Sequence, residues 1–130
     1  MIYLKTYKLT LPGPLPGLNE YINAERGNRY TAASMKVNIQ SVIALNIRRQ
    51  LHGLHIKNPV VMHYSWFEPH RRRDRDNISF ARKFIQDALT SCGVLQNDGW
   101  KDILWFTDSQ FVDKRRPRVE IVIVEVNNKP

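Results

Sequence analysis

Val119-Glu120-Ile121-Val122-Ile123-Val124-Glu125-Val126 decides the fold of this chain. Its β-branched residues suit a pleated, half-buried surface, so residues 118–126 read as a strand. The basic turn Lys114-Arg115-Arg116-Pro117 precedes it, and residues 104–113 before that turn read as another strand. Further back, residues 60–67 enter a strand through Pro59, and residues 2–11 alternate with Ile2, Leu4, Leu9 and Leu11. Pro12-Gly13-Pro14-Leu15-Pro16-Gly17 stops the first strand in an ordered loop, because proline removes donors and fixes φ while glycine permits turns.

Two amphipathic helices fall between the strands. Over residues 34–51, Met35, Ile39, Val42, Ile43, Ile47 and Leu51 recur at steps of three and four. Ser34 or Thr31 serves as a cap there and Gly53 as a stop. Residues 23–29 read as polar and turn-rich. Over residues 78–91, Ile78, Ala81, Phe84, Ile85, Ala88 and Leu89 form a second buried stripe, with Gly93 as terminator. The order β-α-β-α-β-β predicts one α+β domain over residues 1–130, with helices packed on a small mixed or antiparallel sheet.

Composition narrows the function classes. The 130 residues, 42% apolar and 25% charged, suit one core and an ordinary soluble domain. No apolar run reaches the roughly 18–20 residues of a membrane span. The N-terminus alternates like a strand and lacks the layout of a signal peptide, and Cys92 alone forms no intramolecular disulfide. The expectation is a cytoplasmic protein. Lys plus Arg number 20 against 12 Asp plus Glu, a net +8. Such a balance favours a polyanion, since neutralised phosphates release counterions. Acidic membrane surfaces and acidic proteins answer the same charge.

Arg71-Arg72-Arg73-Asp74-Arg75-Asp76-Asn77 lies between a strand and a helix. In extended backbone, side chains two apart point the same way, with carbons roughly 6–7 Å apart. Asp74 and Asp76 can then share a hard divalent ion, magnesium or manganese, which suits oxygen donors. Arg71, Arg72, Arg73 and Arg75 would draw in phosphate. The plainer reading is a solvated loop of surface ion pairs, with Asn77 or Asp76 capping the helix. Lys83 lies seven positions past Asp76, on the same face of a straight helix about 10 Å along its axis. It either supports the metal site or pairs with Asp87 at i+4. Asp98 sits in the turn Gln96-Asn97-Asp98-Gly99, as a metal ligand or as turn chemistry.

Leu11-Pro12 through Asn19, Arg71 to Asn77, Lys83, Asp87-Ala88-Leu89, Gly93 and Asn97-Asp98 form an ordered set running nearly end to end. That set resembles the RusA family of crossover-junction endodeoxyribonucleases. The resemblance implies a RusA-like fold and symmetric, magnesium-dependent nicking of Holliday junctions by a homodimer, in recombination and repair, typically encoded by phages or prophages. It also implies that Asp74, Asp76 and Asp98 are the metal-binding aspartates and Lys83 the essential lysine. Two departures accompany it. The span from Asp76 to Asp87 is about three residues, near one helical turn, longer than the family pattern, so Lys83 is matched from the Asp87 side and Arg82 is a rival. Asn97 stands where many members carry a second aspartate.

Reach bears on Asp98. A helix over residues 78–91 is about 21 Å long, and five extended residues return about 17 Å at most. The partner subunit is therefore the alternative source of this ligand. Asp87, about 16 Å along the axis from Asp76, cannot share an ion with it. Arg26, Arg29, Lys114, Arg115, Arg116 and Arg118 are candidate phosphate contacts or scattered surface charge. His52, His55, His63 and His70 lack zinc spacing, although His70 adjoins the arginines. Trp66, Trp100 and Trp105 suit core or interface, with Trp100 beside Asp98 as a possible wedge into a junction. No nucleophile setting and no small-molecule cofactor motif is visible. The first expectation is a junction resolvase. Its rivals are a catalytically silent DNA-binding accessory protein and a metal nuclease preferring flaps.

Overall fold

The computed structural model describes residues 1–127, without the Arg29 side chain, and shows an α+β fold. Strands β1 (Ile2–Pro12), β2 (Val60–Glu68), β3 (Ile103–Val112) and β4 (Arg118–Asn127) form one mixed sheet in the order β1-β4-β2-β3. β4 is antiparallel to both of its neighbours, and β3 runs parallel to β2 as an edge. The β-branched strand therefore lies inside the sheet. Its Val119, Ile121 and Ile123 are buried beside Leu9 and Leu11 of β1 and Met62, Tyr64 and Trp66 of β2. That burial of contiguous apolar surface is the main stabilising term for the fold.

The segment between β3 and β4 is not a hairpin turn, because β2 separates the two strands. It crosses the end of β2, where the Asp113 amide donates to the Glu68 carbonyl at 2.8 Å.

The helices depart from expectation in two places. Residues 23–29 are not a turn-rich loop: α1 (Leu18–Gly27) and the start of α2 (Arg29–Gln50) occupy them. α1 has no fully buried residue, so its sequence carries little apolar rhythm. Tertiary contact holds it instead, with the Tyr21 ring 5.7 Å from Phe80 and 5.8 Å from Phe84. Asn28 ends α1 in extended backbone and caps α2, its Oδ1 accepting from the Thr31 amide at 2.8 Å. The cap is thus neither Thr31 nor Ser34. Ile39, Ile43 and Ile47 are buried as the spacing predicts, whereas Val42 is exposed. Past the helix, Gly53 takes φ +70°, the left-handed region natural to glycine.

The helix expected over residues 78–91 is two helices, α3 (Arg75–Ser79) and α4 (Arg82–Ser91). Between them the bonding tightens to i→i−3, with Lys83 N donating to Phe80 O at 3.2 Å. The two pieces serve different neighbours. Asn77 in α3 fastens to α1, while Phe84, Ile85, Ala88 and Leu89 of α4 pack in the core. α2 and α4 cover one sheet face. The observed order is β-α-α-β-α-α-β-β: α2 covers the first expected helix, α1 is an additional one before it, and the second expected helix is split into α3 and α4.

Candidate active site

The chain from β2 into α3 builds a cleft of about 380 Å³ at the carboxyl ends of the parallel strands β2 and β3. Its walls include Glu68, His70, Arg71, Arg73, Asp74 and Arg75, closed by Gln110 and Phe111 of β3. Parallel strand ends are a common place for ligands, since the loops that leave them diverge.

One wall is a latch between the Pro/Gly loop and the arginine–aspartate loop. The Arg73 guanidinium donates to Glu68 Oε1 at 2.8 Å, to the Leu15 carbonyl at 2.9 Å and to Glu20 Oε1 at 3.3 Å. Glu68 is only 4% exposed, so Arg73 supplies the charge that its carboxylate needs. The Asn77 side-chain oxygen accepts from the Asn19 amide at 2.9 Å, and Glu20 accepts from the Gly17 amide at 3.1 Å. A Cβ on Gly17 would lie 2.5 Å from the Asn77 carbonyl oxygen, so only glycine permits this approach. Arg73, expected to hold phosphate, is therefore withdrawn from that role because its donors face inward. Glu68 was not singled out from the sequence. Its position beside the arginine run was the one available signal.

Asp74 and Asp76 remain free. Asp74 is the residue before α3, in extended backbone, and its side chain makes no capping bond. Asp76 lies exposed in the first turn of α3. Among the described residues neither carboxylate has a hydrogen-bond or ion-pair partner. Because α3 begins at Arg75, the extended alternation expected to align them does not apply: Asp74 precedes the helix and Asp76 is its second residue. Asn77 is inside the helix, so neither it nor Asp76 is the cap.

Lys83 is exposed, with Nζ 3.9 Å from Asp87 Oδ2. The break at Phe80–Ala81 removes the straight helix on which it shared a face with Asp76. Arg82 is held elsewhere: it pairs with Asp108 of β3 and lies 4.1 Å from the Phe106 ring centroid. Asp108 also accepts from Trp66 Nε1 at 2.9 Å, which places Trp66 in the core and not at a nucleic-acid surface.

Asp98 is at the opposite end of the strand pair. Its turn precedes β3 and borders a second cleft with Trp100, Leu104, Trp105 and Phe106. The nine residues of β2 separate the two ends by roughly 26 Å. Among the described residues no group of three or more His, Cys, Asp or Glu side chains converges on one point. Within one chain, Asp98 does not join Asp74 and Asp76. The Asp98 turn is otherwise bare: Trp100 is 98% exposed, and Asp102 Oδ2 is buried without a hydrogen bond. Asp102 is another residue that the sequence did not mark.

Two free carboxylates fit magnesium chemistry, because this ion commonly binds one or two carboxylates and completes its shell with waters and substrate phosphate oxygens. Around them Arg71 and Arg72 are exposed without partners, and Arg75 donates to Gln110. Arg26 is exposed at the end of α1, while the Arg29 side chain lies outside the described residues. Lys114, Arg115 and Arg116 project from the loop between β3 and β4. Asp113 anchors that loop, accepting from the Arg115 and Arg116 amides at 3.1 Å and from Arg118 at 2.9 Å. The Arg116 amide, with Arg118 next, holds the Asp113 carboxyl below its usual range. Arg118 is thereby committed, its guanidinium 3.8 Å from the Phe67 ring centroid. His52 is exposed, His55 contacts the Gly93 carbonyl, His63 contacts Thr107, and His70 lines the first cleft.

No helix among the described residues is long and apolar enough to cross a membrane. No protein-family model matches the chain, and no curated protein matches it.

Proposed function

We propose that this chain is a divalent-metal-dependent endonuclease of the RusA type, acting on Holliday junctions and related branched DNA as a homodimer. One observation carries the reading: the unpartnered carboxylate of Asp74 lines the cleft at the strand ends beside the free Arg71, and Asp76, also unpartnered, follows two residues on in the first turn of α3. Exposed carboxylates without a partner are available to a hard divalent cation, which takes oxygen donors. Asp74 and Asp76 would hold a magnesium or manganese ion, which when bound would supply Lewis-acid chemistry toward the scissile phosphate and an activated water.

The chain's own residues do the remaining work. Arg71 and Arg72 neutralise flanking phosphates, and Arg75, fixed by Gln110, orients the backbone at the cleft. The latch around Arg73 fixes the segment that carries both aspartates, so little reorganisation accompanies reaction. Lys83 is solvent-facing and free to leave Asp87, with a long stem that can meet phosphate. Asp98, remote within one chain, enters the site from the partner subunit in this reading. Two such sites on a two-fold axis suit symmetric nicking.

The test uses purified wild type and Asp76→Asn against a four-way junction, a flap and a duplex, with magnesium or EDTA. The expected outcome is junction nicking by wild type with magnesium only, and a loss of on the order of 100-fold or more in Asp76→Asn, with binding retained. Equal cutting by the variant removes the assigned role. Tight binding without cutting by wild type selects the accessory-protein reading, and equal cutting of flaps selects a broader branched-DNA nuclease.

A further inference from the structure

We propose that the helix-free face of the sheet binds an unpaired stretch of single-stranded DNA, with one base stacked on the Phe111 ring beside the first cleft. This rests on DNA as the substrate of that cleft, and names the form of DNA that the face accepts and the residue that positions it.

α2 and α4 cover one face of the sheet. On the other face, strand pairing sets three flat groups in a row. Phe67 of β2 is opposite Arg118 of β4 on one side and Phe111 of β3 on the other. The Arg118 guanidinium lies 3.8 Å from the Phe67 ring centroid, and the Phe67 and Phe111 rings stack 5.0 Å apart at an interplanar angle of 23°. The row reads cation, ring, ring, and it stops at Phe111 because β3 is the sheet edge. Phe111 is 48% exposed, so the last ring of the stack offers its open side to another flat group. Nucleobases are such groups, and rings on an open sheet surface are a recurring platform for single strands. In a duplex the faces of each base are taken up by its neighbours, so the platform selects unpaired bases.

The rest of β3 continues the surface. Trp105, six residues before Phe111 on the same face and about 20 Å away, is a second exposed ring, and Thr107 and Ser109 place hydroxyls between the two. Charge decides for a polyanion. Glu120 on this face is answered by Lys8 at 2.7 Å and by Arg118 at 2.9 Å. Lys114, Arg115 and Arg116 follow the end of β3, and among the described residues their side chains have no partner. The phosphates on either side of a base on Phe111 meet those three cations. A second copy of this chain, at net +8, would bring like charge to the same place.

Phe111 also lines the first cleft together with Arg71 and Asp74. A base held on its ring therefore sets the strand alongside that cleft, and stacking fixes its orientation.

The experiment uses the full chain in EDTA, so that binding is read without cutting. The probes are an oligothymidylate of about ten nucleotides and a blunt duplex of the same length, followed by fluorescence anisotropy and by proton NMR. We expect the single strand to bind more tightly than the duplex, with thymine methyl protons moved upfield by the ring current of Phe111. Phe111→Leu keeps the apolar bulk and removes the ring; it should weaken single-strand binding by about 10-fold and abolish the upfield shift, whereas Phe111→Tyr should retain both. Should Phe111→Leu not fold, the wild-type shifts and the behaviour of Phe111→Tyr decide. No binding of the single strand, equal or tighter binding of the duplex, or full binding by Phe111→Leu overturns the proposal. Protection of this face only on self-association of the free chain gives it to a second copy and overturns it too. A chain that holds the single strand through Phe111 but cuts no DNA defeats only the nuclease reading, and one that nicks junctions without holding the single strand defeats only this one.

Discussion

The two ends of the β2–β3 pair are built on opposite principles. At the carboxyl end, Arg73, Glu68, Glu20, Asn19 and Asn77 satisfy one another, and Gly17 lets the loops touch. Among the described residues Asp74 and Asp76, with the side chains of Arg71 and Arg72, are left without partners there. At the amino end almost nothing closes the turn around Asp98: the Asp98 amide donates to Asn97 Oδ1, Trp100 stands in solvent, and one Asp102 oxygen is orphaned. The contrast teaches that one end of a strand pair can be closed by its own contacts while the other is left open. Buried charges demand local satisfaction, whereas exposed ones can wait for a partner.

The largest expected effect on that contrast comes from Arg73→Ala. It strands the Glu68 carboxylate in the protein interior, at a cost of about 3–5 kcal/mol. Urea unfolding measures it, and adding Glu68→Gln should restore part of the loss. A cost below about 1 kcal/mol would mean that the latch is merely a surface pair. Next is Gly17→Ala, which forces the two loops apart because the new methyl would overlap Asn77. About 1–3 kcal/mol should be lost, with the melting temperature as readout. Unchanged melting would show that the loops are not in contact. The smallest effect belongs to the other end. Trp100→Ala should alter stability by no more than about 0.5 kcal/mol in dilute protein, since the ring touches little. A larger loss would place Trp100 inside the fold of a single chain and erase the contrast. The Asp76→Asn assay tests the same division through chemistry, because it changes a free carboxylate without disturbing the latch.

The helices show how much was legible in advance. The stripe of Ile39, Ile43 and Ile47 was readable because each residue faces the core at helical spacing. α1 was not, because it is held by the Tyr21 ring and by loop contacts instead of an apolar stripe. The break after Ser79 was equally hidden. No proline or glycine marks it, and it arises because α3 answers to Asn19 while α4 answers to the core. At the site, Asp74 and Asp76 were recognisable as a pair near arginines. Their alignment by extended backbone was mistaken, and so was the assignment of Arg73 to phosphate. Lys83 beside Asp87 matches the i+4 alternative.

By itself the sequence determined the strands, the α+β class, the basic charge and the segment on which two acids meet a cluster of arginines. Those properties are local: periodicity, β-branching and charge act over a few residues. Tertiary structure alone decided which arginine turns inward, that β4 lies inside the sheet while β3 is left at its edge, and that Asp98 lies at the opposite end of the β2–β3 pair from the acids it was expected to join. Those outcomes depend on contacts between residues far apart in the chain, where burial and pairing geometry override local preference.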